Sequence, residues 1–333
     1  MLIFFLGAVE AIVRTVSQNN FRRVTPAVKD VLDARTGRSI LSEQLSLVNL
    51  YAQWPISTKN FTDNGTIMTN PVSVYVAFVG DTSASDASYI IDLINSLSFS
   101  RYNNTPNYLN TLTSYFNSQS QSYAANGIFT TQNFTVIDYV IITNLTTCAL
   151  TNWDDSKLSC IDHIQKTFSS FEEDPDTVLI VMLSSSAIIS NNFLDKAPCG
   201  EHSYYYYPSK PTILYKFIIT YPQNVANCAP PIVPLYLPTL YKYYYQVMAS
   251  VVAHELAEVV TDPDLKNGFY MNSVKYENSD ICAYYYGDSS EITMSRSDSA
   301  LNFSAYNFRS ETGNIYLIQS LLDLRTRTCV TYT

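Results

Sequence analysis

His254 and Glu258 stand four positions apart in the run Ala253-His254-Glu255-Leu256-Ala257-Glu258-Val259-Val260-Thr261-Asp262. On a helix this spacing puts both side chains on one face, one turn apart, and Asp262 continues the line. Glu255 sits beside His254, about 100° round the helix. An imidazole and a carboxylate so placed can grip a metal ion, and a neighbouring carboxylate can take a proton from the metal-bound water. Val247, Met248, Val251 and Val252 precede the run, so the helix enters an apolar core. A charge there is costly unless it is paired or ligated. A hydrogen-bonded core network of one His and several acids is the competing reading.

The pattern is HExxE, one ligand different from the HExxH of zincins, where two histidines hold zinc and the intervening Glu is the general base. Here His254 and Glu258 are the candidate ligands and Glu255 the candidate base. A third ligand is needed. Glu277 and Asp280 follow at a distance like that of the downstream Glu of thermolysin-like enzymes, and Asp262 and Asp264 are nearer alternatives. Zn²⁺ is the expected ion, with Ca²⁺ the alternative because acids dominate. His163 and His202 have no partner at ligand spacing, and His163, on the third helix, is read as structural. No GxSxG, phosphate-binding Gly loop or dinucleotide fingerprint occurs, and nine glycines leave little for cofactor-cradling loops.

The elements that must position this helix can be read from periodicity. Val72–Val79, bounded by Pro71 and Gly80-Asp81, reads as a strand. Ser83 with Asp86 forms a capping box before Ile90, Ile91, Ile94 and Leu97 at helical spacing. Leu109, Leu112 and Phe116 suggest a second helix, and Phe129 to Thr143 one or two strands. Leu158 to Phe171 marks a third helix, stopped by Asp174-Pro175. The apolar run Val178–Leu183 reads as a strand covered on both faces. Ile213–Ile219 is another strand. Prolines at 222, 230, 231, 234 and 238 demand an extended connection. The helix from about Tyr243 to Asp262 is followed by a last helix over about 315–324. This order predicts an α/β or α+β fold, a mixed sheet with packed helices and a zincin-like helix carrying HExxE. Residues 12–70 read as a loosely structured N-terminal region and 71–333 as the folded domain.

The chain has 333 residues, a formal charge of −9 and only 15% charged residues against 47% hydrophobic ones. That excludes a mainly disordered chain and gives no electrostatic footprint for nucleic acid. No run reaches the ~18 apolar residues a spanning helix needs. Leu2–Val9, followed by the small-x-small Val9-Glu10-Ala11, fits a clipped signal peptide over residues 1–11 and equally an ordinary buried segment. Six cysteines without a CxxC motif read as three disulfides, and thus as an oxidising compartment, with six buried thiols the alternative. Sequons at Asn60, Asn64, Asn103, Asn133, Asn144 and Asn302 permit glycosylation. The 27 tyrosines suit half-exposed strands or a contact surface for carbohydrate or peptide, or reflect compositional bias.

Ser250-Val-Val-Ala-His-Glu-Leu-Ala-Glu-Val-Val-Thr-Asp-Pro263, then Asn267-Gly-Phe-Tyr270, then Glu277-Asn-Ser-Asp-Ile-Cys282, resembles the EXORDIUM (phosphate-induced protein) family. That family carries an HExxE helix ending in Thr-Asp/Asn-Pro, a short aromatic segment and a Glu-x-x-Asp-x-Cys segment. Upstream, Pro71–Gly80 and Ile91–Leu97 look like its first strand and helix. Leu179–Leu183, Cys199-Gly200 near His202, Cys228 and Tyr316–Gln319 to Cys329 follow in its order. The likeness covers about residues 70–333, with Phe269 where the family usually has Trp. It implies a secreted protein of the cell wall or extracellular space, and it brings no established reaction.

Two functions compete. One is a secreted zincin-like metallohydrolase directed at peptides, with Glu255 as base and ligands drawn from His254, Glu258, Glu277, Asp280 and Asp262. The other is a non-catalytic extracellular protein that binds a peptide, protein or polysaccharide, with Tyr204–Tyr207 and Tyr284–Tyr286 as its surface loops. A Glu ligand in place of His makes the ion a weaker Lewis acid, which favours the second. Disulfides are expected at Cys282–Cys329, pinning the acidic segment to the C-terminal tail, and at Cys199–Cys228, flanking the Ile213 strand. Cys148–Cys160 remains by elimination.

Overall fold

The computed structural model describes residues 66–98, 108–114, 130–131, 133–143, 153–171, 173–184, 198–207, 210–221, 228, 243–265, 268–269, 277–283, 285–287, 293–296, 303–326 and 328–330. The expected leader, most of the N-terminal region and the proline-rich connection lie outside these residues, as do Cys148 and Tyr284.

Four strands of the central sheet are β1 (Val72–Val79), β2 (Phe134–Ile142), β3 (Thr177–Leu183) and β5 (Lys210–Thr220), all mutually parallel. The fifth is β4 (Gly200–Tyr207), antiparallel to β5 at the edge, so the order is β2-β1-β3-β5-β4. β1 and β3 are buried on both faces, which explains their nearly unbroken apolar runs.

Two cores sandwich the sheet. On one face Val72, Val74, Val76 and Phe78 pack against helix α1 (Ala84–Leu97) and helix α3 (Tyr243–Thr261). On the other, Tyr75, Ala77 and Val79 meet Ile161 and Ile164 of helix α2 (Trp153–Gln165) and the following Phe168. The expected capping box is present: the Asp86 N–H donates to Ser83 Oγ at 3.1 Å and the Ser83 N–H to Asp86 Oδ2 at 3.3 Å. The mixed α/β architecture and the mixed sheet follow the sequence expectation.

Some expected elements differ. The segment near Leu109 is a 3₁₀ turn, Tyr108–Ser114. The third helix stops at Gln165, and Phe168 and Phe171 instead pack their rings on Tyr75. Residues 315–324 are not a helix. They hold strand β9 (Ile315–Tyr316) and strand β10 (Leu321–Asp323), after β6 (Thr293–Arg296), β7 (Phe303–Tyr306) and β8 (Phe308–Arg309). The apolar residues there recur because the segment lies against the core, with Tyr316, Ile318 and Leu321 buried. Strand β11 (Thr328–Val330) pairs with β10.

Tyr204–Tyr207 is not a loop but the body of edge strand β4. Alternation splits its rings. Tyr205 packs on Tyr215 and Phe217 on the α2 side, while Tyr204 and Tyr206 share the other face 6.0 Å apart. Tyr206 is exposed, whereas Tyr286 is buried.

Candidate metal centre

Helix α3 is buried along its whole 251–261 stretch, on all sides. The central sheet lies beneath it, and the short helix α4 (Asn278–Ile281) and the C-terminal segments lie against it. It therefore buries His254, Glu255 and Glu258 whatever their rotation.

Helix α4 is stitched to α3 by polar contacts. The Asn278 amide donates to Thr261 Oγ1 at 2.7 Å and to the Ala257 carbonyl at 3.3 Å. The Ser279 hydroxyl donates to the His254 carbonyl at 3.2 Å. The Asp280 N–H donates to Glu258 Oε1 at 3.2 Å. These contacts bring the downstream acids to the HExxE face. His254 Nε2 lies 3.0 Å from Glu258 Oε1 and 3.7 Å from Asp280 Oδ1.

The sequence reading missed His202. It stands near the start of β4, paired in register with Ile218, and points at α3. Its Nδ1 is 3.2 Å from Glu255 Oε2 and 3.5 Å from Glu258 Oε2, while Nε2 faces Glu277 Oε1 at 3.4 Å. The donors form two groups, each within 4.8 Å: His254, Glu258 and Asp280, and His202, Glu255 and Glu258. Glu258 belongs to both. No periodicity links β4 to α3, so no spacing rule could have found His202. The one available signal was its place beside Cys199-Gly200 in the family order.

Gly200 lets the two elements approach. A Cβ there would lie 2.6 Å from Val251 Cγ1 and 2.8 Å from Glu255 Oε1. Two expected ligands, Glu277 and Asp262, belong to neither group: Glu277 faces His202 instead, and Asp262 turns away. Its Oδ1 accepts the Gly268 N–H at 2.9 Å and closes the turn after α3. A Cβ on Gly268 would fall 2.1 Å from that oxygen.

Burial and like charge set the electrostatics. Burial, then Glu258, pushes Asp280 up to about 8, and burial raises Glu255 and Glu277. Burial also acts on Glu258, but the two histidines outweigh it and hold its carboxyl at about 2. Burial opposes a charge on His254, yet Glu258, Glu255 and Asp280 raise it to about 10. His202 is raised in the same way, mainly by Glu277 against its burial. Asp262 sits at about 6, lifted by burial and Asp264 against the pull of His202.

Gln319, also unpredicted, fixes the far side of His254. Its Nε2 donates to the Ser279 carbonyl at 2.6 Å and lies 3.0 Å from His254 Nδ1. A cavity of about 30 Å³ touches His254, Glu255, Gln319 and the Cys199 and Cys228 pair, which is room for about one water.

Two expected disulfides are present: Cys199–Cys228 and Cys282–Cys329, each with Cα atoms 5.6 Å apart. Cys160 is disulfide-bonded too, and its expected partner Cys148 lies outside the described residues. Among the described residues no helix is long and apolar enough to cross a membrane. No curated protein and no solved structure matches the chain. The family description "Phosphate-induced protein 1 conserved region" matches residues 62–332, a span that takes in the sheet, α3, both disulfides and every residue of the acidic cluster. The chain belongs to the phosphate-induced protein 1, or EXORDIUM, family.

Proposed function

We propose that this chain is a secreted, extracellular or cell-wall-associated protein that holds a divalent cation between His254 Nε2, Glu258 Oε1 and Asp280 Oδ1. The observation that carries the reading is the convergence of these three donors within 4.8 Å, two from the buried helix α3 and one from α4 packed against it. A mixed nitrogen and oxygen set of three suits Zn²⁺ better than Ca²⁺, which takes six to eight oxygens. Four carboxylates, Glu255, Glu258, Glu277 and Asp280, contact two imidazoles here, and Asp262 is buried beside them. Even with both histidines charged, two negative charges remain to be neutralised, by protons or by a cation. Disulfides and family membership support the extracellular setting. The partner is then a peptide, protein or polysaccharide outside the cell, met on the Tyr204 and Tyr206 face of β4.

A metallohydrolase is the second reading, favoured by the water-sized cavity beside Glu255. Glu255 would take the proton of a water held there. The cavity is far smaller than the ~300–1,000 Å³ of ordinary ligand pockets, which favours the non-catalytic role.

Metal analysis of protein purified from culture medium, with His254→Ala and Glu255→Gln beside it, tests both readings. Bound metal lost in His254→Ala supports the cation site, and metal-free wild type refutes it. Cleavage of a peptide library that disappears only in Glu255→Gln would establish the hydrolase instead.

A further inference from the structure

We propose a second cation position, formed by His202 Nδ1, Glu255 Oε2 and Glu258 Oε2, so that Glu258 bridges a two-cation centre. The inference rests on the reading above and extends it. Glu258 divides its oxygens: Oε1 faces His254 Nε2 at 3.0 Å, and Oε2 faces His202 Nδ1 at 3.5 Å. A carboxylate shared in this way is the bridging ligand of two-metal sites, whose ions sit ~3.5–4 Å apart.

An independent observation comes from the other side of the His202 ring. Its side chain is 4% exposed, and Nε2 is buried without a hydrogen bond. Glu277 Oε1, also buried and unbonded, stands 3.4 Å away. A metal-bound imidazole characteristically turns its second nitrogen to a carboxylate, which fixes the ring and raises its basicity. Glu277 occupies that place. It is thus a positioning residue for the second ion rather than a ligand of the first.

Charge agrees with two ions. One divalent cation with neutral imidazoles would leave two of the four carboxylate charges uncompensated in the interior. Two divalent cations balance Glu255, Glu258, Glu277 and Asp280 with both imidazoles neutral. Imidazole and carboxylate donors point to Zn²⁺ or Mn²⁺. In this arrangement Glu255 is a ligand, which removes it from the role of general base.

Chelator-stripped wild-type protein titrated with Zn²⁺ alone should take up two equivalents per chain. His202→Ala and His254→Ala should each keep one, and Glu258→Ala should lose both. Glu277→Gln should weaken only the second equivalent, by about 10–100-fold. Mn²⁺ loading of unmodified protein gives a readout independent of variant folding: two equivalents should give a spin-coupled paramagnetic resonance spectrum. One equivalent in wild type, retained by His202→Ala, or an uncoupled Mn²⁺ spectrum overturns the second position and leaves the first standing. No bound Zn²⁺ at all overturns both.

Discussion

His202 and Glu255 meet at 3.2 Å across 53 residues of chain, one on an edge strand and the other inside a buried helix. The contact joins the sheet to the HExxE segment. It makes β4 part of the site rather than a border of the fold.

Glu258 is the residue on which both donor groups depend. Glu258→Gln keeps the shape and removes the charge, so metal affinity should fall by more than the ~10–100-fold that an outer partner is worth. Equilibrium dialysis checks this. Affinity within about threefold of wild type would remove Glu258 from the site.

Metal-free protein should be most stable in mild acid. Asp280 at about 8, Asp262 at about 6, and the raised Glu255 and Glu277 keep protons in the fold that the unfolded chain releases above about pH 4. The native state then binds more protons, and stability falls as pH rises from about 4 to 8. His254, raised to about 10, adds in the same direction: its stabilisation is full below about 6.5 and lost as pH rises through 10. Glu258, held at about 2, loses its stabilising effect only as pH falls below about 4.5. Thermal melts in chelator should show Tm dropping between pH 5 and 8, and Zn²⁺ should restore it at pH 8. A flat or rising Tm in chelator would contradict this account.

Gly268→Ala should destabilise the chain by about 1–3 kcal/mol, because its Cβ has no room beside Asp262. The turn that follows α3 must shift, and the Gly268 N–H bond to Asp262 is lost with it. Urea unfolding of the two proteins measures the difference. Equal midpoints would show that the turn yields freely.

Cutting the Cys282–Cys329 bridge with a double Ser variant should cost about 4 kcal/mol from its 47-residue separation. Cys282 lies two positions beyond Asp280, so metal affinity should fall along with Tm. A variant with lowered Tm and unchanged affinity would show that contacts between α4 and α3 suffice to hold Asp280.

The frame and half of the side chains that the fold gathers around α3 were legible in the sequence. Strand β1, helix α1 and helix α3 were readable because apolar period, caps and flanking Pro or Gly agree at those places. His254, Glu258 and Asp280 were readable because four-residue spacing and a short return segment keep them local. His202 was not, since an edge strand contributes it from 53 residues before Glu255 and no helical spacing links the two. Asp262 continued the helical line, but the helix ends at Thr261 and the carboxylate turns to Gly268. The C-terminal segment misled for a related reason. Tyr316, Leu317, Ile318, Leu321 and Leu322 are buried by the core they cover rather than by one helical face.

Helix α3 has no solvent face along the stretch that carries the donors. The C-terminal strands and α4 cover an ion held there, and Cys282–Cys329 fastens those two covers to each other. The residence time of the ion is then the lifetime of that cover. Chelators should strip such an ion at a rate set by protein opening and independent of chelator concentration, and added Zn²⁺ should reload through the same opening.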